Sequence, residues 1–540
     1  MGVALRPAKR VSWLRRLGAI AAVAVMLAIC SAARPTVAQT DGGGLFWPEG
    51  QVLPTFAKAT HLDVVNGGRL TPDEKVMIAS LQGLVNRRQP RIYLQIGHAK
   101  AGDAWLTGFG LPTTTIANPM DLLAKYHDEV SGIVVYDPSV PATIDVATTL
   151  AGLDHAVIAS PTLASTLESS YHLAVKDDLR GRFHDDVGAY SWAFDTLWPR
   201  VTHRMIVAID PSGTGDIRDY AVATGALTVW LRVGYPNERE LLGRILDAMP
   251  PATPYVGWFS HEQGSKEGPG VTFLSEHSHF NIAAANFSNA TVFGGVPAQI
   301  SRTQPDAPVP PLSNKIYVTF TVSDGDNVTN LQGRRRMQWE DPQRGRVPIN
   351  WSTNPLLVDM APTILAYYQR TATPNDYLVT GSSGAGYTYI SHWPEQTFHS
   401  YISLAARYMA RSGMRVIVVN NGIRPQMLEP ERVAAFEGEA QPLGIETRIA
   451  RQFGTATNGV TPVTIDHGIK DVNEGRTYLE ERGRTFNGRS PMFVSLFVDA
   501  WTMTPADLAQ VASSLGPQFQ VVRGDAYFRL LRQASGLPQR

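Results

Sequence analysis

Short apolar runs alternate with amphipathic segments over most of the chain. Residues 317–322 are all β-branched or aromatic, which predicts a buried strand rather than a helix. Near the start of the chain, Thr71 has the properties of a helix N-cap, Pro72 suits the first helical position and Glu74 completes a capping box. Repeated alternation of strands and helices is typical of an α/β fold with parallel sheets.

The chain is too long for one hydrophobic core. It has 540 residues, whereas single cores stop growing at roughly 250–300 residues. Five prolines within residues 296–313 remove backbone donors and disfavour helix, which predicts a linker or an extended segment. We predict three small α/β domains at 60–154, 155–232 and 233–300, a proline-rich linker at 301–313 and a larger C-terminal domain at 314–535.

The C-terminal region contains seven apolar runs separated by helical patterns. The predicted strands lie near 316–322, 376–380, 415–420, 444–449, 462–466, 492–498 and 519–522. Seven strands with helices between several of them suit a (β/α) barrel, complete or incomplete, better than an open sheet. The predicted fold class is therefore α/β, with a C-terminal (β/α) barrel-like domain preceded by small α/β domains.

The first 38 residues have the pattern of an export signal. Basic residues precede an uninterrupted small and apolar run at positions 17–30, which has the length of a signal-peptide core but is short for a membrane span. Small residues at 31–33 and 36–38 are candidate cleavage sites. The pair Arg15-Arg16 is also compatible with a twin-arginine signal. We predict a signal peptide at 1–38 and an exported protein.

Removal of this segment changes the charge balance. It holds six of the 48 Lys and Arg residues and no Asp or Glu, so 42 basic and 48 acidic side chains remain, a net charge of −6. A mildly acidic chain without a basic run argues against binding to nucleic acid or an anionic membrane. The single cysteine, Cys30, lies in the predicted signal peptide, which excludes disulfides, thiol nucleophiles and cysteine-bound zinc from the remainder.

Three aspartates are the candidates for catalysis: Asp324, Asp326 and Asp499. Gly325 allows a sharp turn that brings the first two carboxylates toward one space, where they suit acid/base chemistry on a sugar or ligation of a hard cation. A plain Asp-Gly turn is the alternative. His392 and His399 are seven residues apart, a poor spacing for a metal pair, and we predict neither a metal site nor a cofactor.

Other polar and aromatic residues recur after the predicted strands, where a barrel of parallel strands builds its site. Flat rings with a polar edge suit sugar faces, which are apolar on one side. Packing in the core is the alternative for each tryptophan. The candidates for substrate binding are Asn327, Trp351, Tyr387, Tyr389, Asn420, Asp466, His467 and Trp501.

With these residues in place, the chain resembles the GxGYxYP family of bacterial glycoside hydrolases. Residues 384–389, GAGYTY, match the motif that names the family, although Ile390 replaces its final proline. The similarity extends to SDGDN at 323–327, Arg344-Gly345, Asn350-Trp351, Ala361-Pro362, DAW at 499–501 and SLQGLV at 80–85. The resemblance implies three small N-terminal domains, a C-terminal catalytic domain and a carbohydrate substrate.

The sequence leaves three functions open. The first is an exported glycoside hydrolase that acts on an oligo- or polysaccharide through Asp324 or Asp326 paired with Asp499. The second is a metal-dependent carbohydrate deacetylase, which would need histidine ligands, although no His-x-x-x-His pair follows the aspartates. The third is a glycan-binding protein without catalytic activity, because aromatic residues and aspartates also serve binding.

Overall fold

The computed structural model describes residues 44–95, 99–212, 217–422, 428–448, 454–458 and 461–540. The predicted signal peptide lies outside these residues. In the part of the chain that is described, no helix combines the length and the apolar character needed to cross a membrane.

Three small parallel sheets precede the barrel. The first consists of β1 (Leu62–Asn66), β2 (Ile92–Gln95) and β3 (Thr113–Ile116), in the order β2-β1-β3. The second consists of β4 (Gly132–Val135), β5 (Ala156–Ala159) and β6 (Val175–Asp178), in the order β5-β4-β6. The third consists of β7 (Thr202–Ala208), β8 (Ala226–Val229), β9 (Pro254–Gly257) and β10 (Phe280–Ala283), in the order β10-β9-β7-β8.

The predicted boundaries at 154 and 232 fall between β4 and β5 and between β8 and β9, inside the second and third sheets. The exact division into domains stays a prediction.

Helices connect these strands and cover the sheets. They are α1 (Pro72–Arg88), α2 (Ala99–Gly108), α3 (Met120–Lys125), α4 (Thr143–Asp154), α5 (Pro161–Tyr171), α6 (Asp186–Leu197), α7 (Arg218–Thr224), α8 (Pro236–Asp247), α9 (Glu267–Glu276) and α10 (Ala290–Gly295), with 3-10 turns at Gly67–Arg69, His127–Glu129 and Trp198–Arg200.

The start of α1 confirms the predicted capping box. The Glu74 N–H donates to Thr71 Oγ1 at 3.3 Å, and the Thr71 N–H donates to Glu74 Oε2 at 2.8 Å. Two N–H groups that lack partners within the helix are thereby satisfied.

The C-terminal region forms a parallel, barrel-like sheet. Its strands are β11 (Ile316–Val322), β12 (Ile349–Thr353), β13 (Asp376–Thr380), β14 (Val416–Val419), β15 (Gly444–Arg448), β16 (Gly454–Asn458), β17 (Thr461–Ile469), β18 (Met492–Val498) and β19 (Phe519–Val521). Seven of them follow the order β13-β12-β11-β18-β17-β15-β14, while β16 pairs antiparallel with β17 and β19 pairs parallel with β11.

The two ends of this sheet, β13 and β14, come close enough to bring the ring near closure. Ser382 forms a single parallel bridge with Val418, and the Val418 N–H donates to Thr380 Oγ1 at 3.3 Å. The predicted α/β class with a C-terminal barrel-like domain is therefore confirmed.

The helices of the C-terminal region lie mostly between successive strands. They are α11 (Val328–Gln332), α12 (Arg334–Trp339), α13 (Leu357–Met360), α14 (Pro362–Thr371), α15 (Glu395–Ser412), α16 (Pro430–Ala440), α17 (Val472–Thr485), α18 (Pro505–Ser513) and α19 (Gly524–Ala534), with a 3-10 turn at Ile390–His392.

Two strands of this sheet, β12 and β16, have no counterpart among the predicted strands. The sequence of β12, INWST, lacks an apolar run because alternate side chains are polar and point into the barrel. Asn350 Nδ2 donates to Thr319 Oγ1 at 2.8 Å and to Thr321 Oγ1 at 2.9 Å. The last predicted strand, at 519–522, is instead the short β19, which pairs with the first residues of β11.

The third sheet and the barrel share one hydrophobic core. Val318 and Phe320 on one face of β11 belong to the same buried cluster as Phe280 and Ile282 of β10. Burial of this apolar surface joins the sheet to the barrel, because separating the two would expose it to water.

The proline-rich stretch runs without regular structure along the barrel. Gln304 Nε2 donates to Leu378 O at 2.8 Å, and the Ala307 N–H donates to Asp525 Oδ2 at 2.7 Å. These contacts order the stretch along the surface of the barrel.

The loop between β13 and α15 docks on the third sheet through its backbone. The Tyr387 N–H donates to Asn281 O and the Asn281 N–H donates to Tyr387 O, both at 2.8 Å. Gly386 permits this approach, since a Cβ there would lie 2.3 Å from a ring atom of Phe280.

We expect Gly386→Ala to lower the free energy of unfolding by about 1–3 kcal/mol, because the added methyl group overpacks the contact with Phe280. The control is Gly438→Ala in α16, where an added Cβ meets nothing within 4 Å and alanine favours the helix. Urea denaturation followed by circular dichroism measures both. Equal midpoints for the two variants would contradict the docking described here.

Candidate active site

A cavity of about 580 Å³ lies at the carboxyl ends of the barrel strands. Residues that follow β11, β13, β14, β17 and β18 form its barrel side, and the loop after β9 together with the start of α9 forms the opposite wall. This is the end at which parallel barrels build their sites. Its acidic lining residues are Glu267, Asp324, Asp326, Glu474 and Asp499.

The turn after β11 directs two of these carboxylates into the cavity. Asp324 has a φ of +60°, a left-handed conformation that aspartate adopts more readily than most residues. Gly325 lies against the backbone of β12, where a Cβ would be 2.1 Å from the carbonyl carbon of Ser352. Only glycine fits there, so the sequence Asp-Gly-Asp is needed to place Asp324 and Asp326 side by side.

Hydrogen-bond donors reach both oxygens of Asp324. The indole Nε1 of Trp501 donates to Oδ1 at 2.8 Å, and the Ser323 hydroxyl donates to Oδ2. The Trp501 ring is about half exposed and lines the cavity.

Arg335 ties together the strand ends beneath this turn. Its Nη1 donates to Ser352 O and its Nη2 to Ser323 O, both at 2.8 Å. Burial lowers the pKa of Arg335 to about 10, which leaves it positively charged at neutral pH near Asp324. The side chain thus fixes the ends of β11 and β12 and contributes a positive charge below the site.

Asp326 has a different environment from Asp324. It is almost fully buried, and its described side-chain partner is the Ser382 hydroxyl, which donates to Oδ1 at 3.1 Å. Burial, together with the negative charges of Asp324 and Glu267, raises the pKa of Asp326 to about 7. At neutral pH, a substantial fraction of Asp326 therefore carries a proton.

Asp499 and Asn327 line the cavity but also stabilise local structure. Asp499 Oδ1 accepts from the Trp501 N–H at 2.7 Å, which holds the turn after β18. Asn327 Oδ1 accepts from the Asn330 N–H at 2.9 Å and caps α11.

Tyr387 links the two walls of the cavity. Its hydroxyl donates to Glu267 Oε1 at 2.5 Å and accepts from Asn420 Nδ2 at 2.9 Å. Its ring lies nearly parallel to that of Trp258, with the centroids 6.5 Å apart. Burial and the Glu267 carboxylate hold the pKa of Tyr387 far above its usual value, so the hydroxyl stays protonated and donates.

Glu267 is the first residue of α9 and stands in the open part of the cavity. Partial removal from water raises its pKa, the hydrogen bond from Tyr387 opposes the rise, and the charge of Asp324 adds to it.

Four of the predicted binding residues are not in the cavity lining. Trp351 is fully buried, and its Nε1 donates to Asp376 Oδ1 at 2.8 Å, so it belongs to the core. Tyr389 is buried behind Tyr387. Asp466 is buried in β17, and His467 stacks on Tyr478 with ring centroids 3.7 Å apart. Asp324, Asp326, Asn327, Tyr387, Asn420, Asp499 and Trp501 do line it.

Trp258, Glu267, Lys470 and Glu474 also line the cavity and were not among the predicted site residues. Ser382 lines it too and lies just after β13, where the strand-end rule places it. Trp258 and Glu267 lie in the region of the third sheet, about 50–60 residues before the first barrel strand, and no local pattern marks them. Their place depends on how this sheet packs against the barrel.

No group of three or more His, Cys, Asp or Glu side chains among the described residues is arranged to hold a metal ion.

The chain thus combines a nearly closed (β/α) barrel, with carboxylates at its rim, and three small parallel sheets that precede it. Models of one family match the chain over most of its length. The GxGYxYP putative glycoside hydrolase C-terminal domain matches residues 314–532, and the first, second and third GxGYxYP N-terminal domains match 61–128, 130–201 and 203–295. The chain belongs to the GxGYxYP family, whose description as glycoside hydrolases suggests a carbohydrate substrate.

A crystal structure described as a putative hydrolase from Bacteroides thetaiotaomicron is similar to the chain, with a TM-score of 0.80 and 19% identity. The match covers 91% of this chain and 99% of that one and shows a shared fold. A putative polysaccharide deacetylase from Mycobacterium smegmatis covers 44% of this chain and 97% of its own, but its TM-score of 0.31 and identity of 12% carry no argument. No curated protein matches the chain.

We expect Asp326→Asn to become more stable relative to the wild type as the pH rises from 5 to 8. The pKa of Asp326 is about 7 in the folded state against 3.8 as the ordinary value, so the folded wild type binds more protons over this window and loses stability as the pH rises. Asparagine carries no such proton. The difference in the free energy of unfolding between Asp326→Asn and the wild type should therefore grow by up to about 3 kcal/mol over this pH range. Urea denaturation at several pH values measures this difference.

Glu240→Gln, which removes an exposed carboxylate from α8, is the control and should show a nearly constant difference. If the free energy of unfolding of Asp326→Asn also differs from that of the wild type by a constant amount across the pH range, the raised pKa of Asp326 is contradicted.

Proposed function

We propose that the protein hydrolyses glycosidic bonds of an oligo- or polysaccharide, with Asp326 as the proton donor. The observation that carries the proposal is the contrast between two carboxyl groups in one cavity. Asp326 is buried with a pKa of about 7, whereas Asp324 accepts hydrogen bonds on both oxygens. Glycosidases divide the acid and base roles between two carboxyl groups by placing them in different environments.

In this mechanism, Asp326 transfers its proton to the glycosidic oxygen as the bond to the anomeric carbon breaks. The positive charge that develops on the sugar ring is stabilised by the carboxylates around it. Asp324 or Asp499 then either attacks the anomeric carbon or takes a proton from the attacking water. Carboxyl groups roughly 5–5.5 Å apart around bound substrate would give retention, and roughly 6.5–9.5 Å would give inversion.

The aromatic side chains of the cavity suit a sugar ligand. Trp501 is about half exposed at the rim, and Trp258 lines the opposite wall, where it stacks on the buried ring of Tyr387. Such rings pack on the apolar face of a sugar while their polar edges hydrogen-bond. Asn327 and Asn420 supply further polar groups at the cavity wall.

The carboxylate assignment predicts that Asp326→Asn reduces kcat by roughly 10²–10⁴-fold without unfolding the protein. A similar loss is expected for whichever of Asp324→Asn and Asp499→Asn removes the partner carboxylate, and a smaller loss for the other variant. Purified protein is screened against a polysaccharide panel, with reducing ends and acetate measured in parallel. Glu240→Gln is the control and should keep wild-type activity.

The pH profile gives an independent check on the same assignment. Because Asp326 must be protonated, kcat/KM should fall about tenfold per pH unit above its pKa of about 7. Full activity in all three asparagine variants would refute the mechanism. Release of acetate that a chelator abolishes would indicate a deacetylase, and glycan affinity without turnover would indicate a binding protein.

We also propose that the protein is exported after removal of residues 1–38 or of a slightly shorter segment. The full chain is expressed in a bacterium with its native leader, and the extracytoplasmic fraction is analysed by N-terminal mass spectrometry. A mature N-terminus just after Ala33 or Ala38 is expected. A full-length chain retained in the cytoplasm would contradict the proposal.

A further inference from the structure

The cavity has a strongly one-sided charge. Five carboxyl groups line it, from Glu267, Asp324, Asp326, Glu474 and Asp499. Among the described lining residues, Lys470 is the one basic side chain, and its Nζ lies 3.5 Å from Glu474 Oε1. A ligand that enters the cavity therefore meets an excess of negative charge even when Asp326 is protonated.

Glu267 contributes to this charge from outside the barrel. It begins α9, and its carboxylate is held by the Tyr387 hydroxyl, which Asn420 orients in turn. The Tyr387 backbone is itself paired with Asn281 of the third sheet. Glu267 is consequently fixed on the wall opposite Asp324 and Asp499, and the carboxylates surround the space where a sugar would bind.

The same wall offers apolar contact. Trp258 follows β9 and lines the cavity, so a sugar ring at this wall meets the indole of Trp258 and the Glu267 carboxylate together. A carboxylate accepts hydrogen bonds from sugar hydroxyl or ammonium groups, but it repels a uronate carboxylate or a sulfate group.

We propose that Glu267 is a specificity-determining residue that restricts this site to sugar units without a negative charge, namely neutral or amino sugars. The inference rests on the proposed glycosidase function of the same cavity. Uronic acids and sulfated sugars are excluded because each would bring an additional negative charge among carboxylates, and the one basic side chain of the described lining, Lys470, lies beside Glu474.

The test compares a neutral glycan with its derivative oxidised at C6 to the uronic acid, which keeps the same linkages. The neutral glycan is the one that the polysaccharide panel identifies as hydrolysed. We expect kcat/KM to be at least tenfold lower for the oxidised form than for the neutral glycan. In the Glu267→Gln variant, the ratio of the two kcat/KM values should be several-fold smaller. Added salt should narrow it as well, since salt screens the repulsion. Glu240→Gln is the matched control and should leave the ratio unchanged.

Binding separates this proposal from the proposed reaction. Calorimetric titration of Asp326→Asn with neutral, C6-oxidised and amino-sugar oligosaccharides measures the charge preference without turnover. Weaker binding of the oxidised form supports the charge selection. If, in addition, the wild type hydrolyses no glycan, the charge selection stands while the proposed glycosidase reaction is refuted. Equal or tighter binding of the oxidised form, or a Glu267→Gln variant with an unchanged ratio, overturns the charge selection while leaving hydrolysis intact.

Discussion

The backbone pairing between Tyr387 and Asn281 is the contact on which the site depends. Two hydrogen bonds of 2.8 Å attach the loop after β13 to β10, at a point where Gly386 lets the loop approach Phe280. Through this contact the third sheet faces the end of the barrel that carries the aspartates. The motif that names the family is therefore, in its main chain, a docking element, and one of its side chains reaches the cavity.

The cavity concentrates acidic groups, and the structure shows how they are accommodated. Asp324 receives donors from Trp501 and Ser323, Arg335 supplies a positive charge beneath, and the Tyr387 hydroxyl donates to Glu267. Asp326 has fewer donors and is buried, so its pKa rises to about 7. A proton at Asp326 lowers the repulsion among the carboxylates, and the same proton is the one that the proposed reaction uses.

Much of the fold could be predicted from the residues alone. A barrel strand whose two faces are both apolar appears in the sequence as a continuous apolar run. Six of the seven barrel strands coincide with predicted ones. β12 escaped prediction since Asn350 and Ser352 point into a partly polar barrel interior, where Asn350 hydrogen-bonds to threonines of β11. The same difficulty affected Trp351, which resembles a ligand-binding ring in the sequence but lies in the core.

Local chemistry in the sequence determined the Asp-Gly-Asp turn, the glycines of the docking loop and the carboxylates that follow β11 and β18, because these depend on neighbouring residues and on strand order. Only the tertiary structure decided that Glu267 and Trp258 belong to the same cavity, since the contact that brings them there joins residues more than a hundred positions apart. It also decided the difference between Asp324 and Asp326, two residues apart in the chain, because Asp326 is buried while Trp501, far along the chain, donates to Asp324.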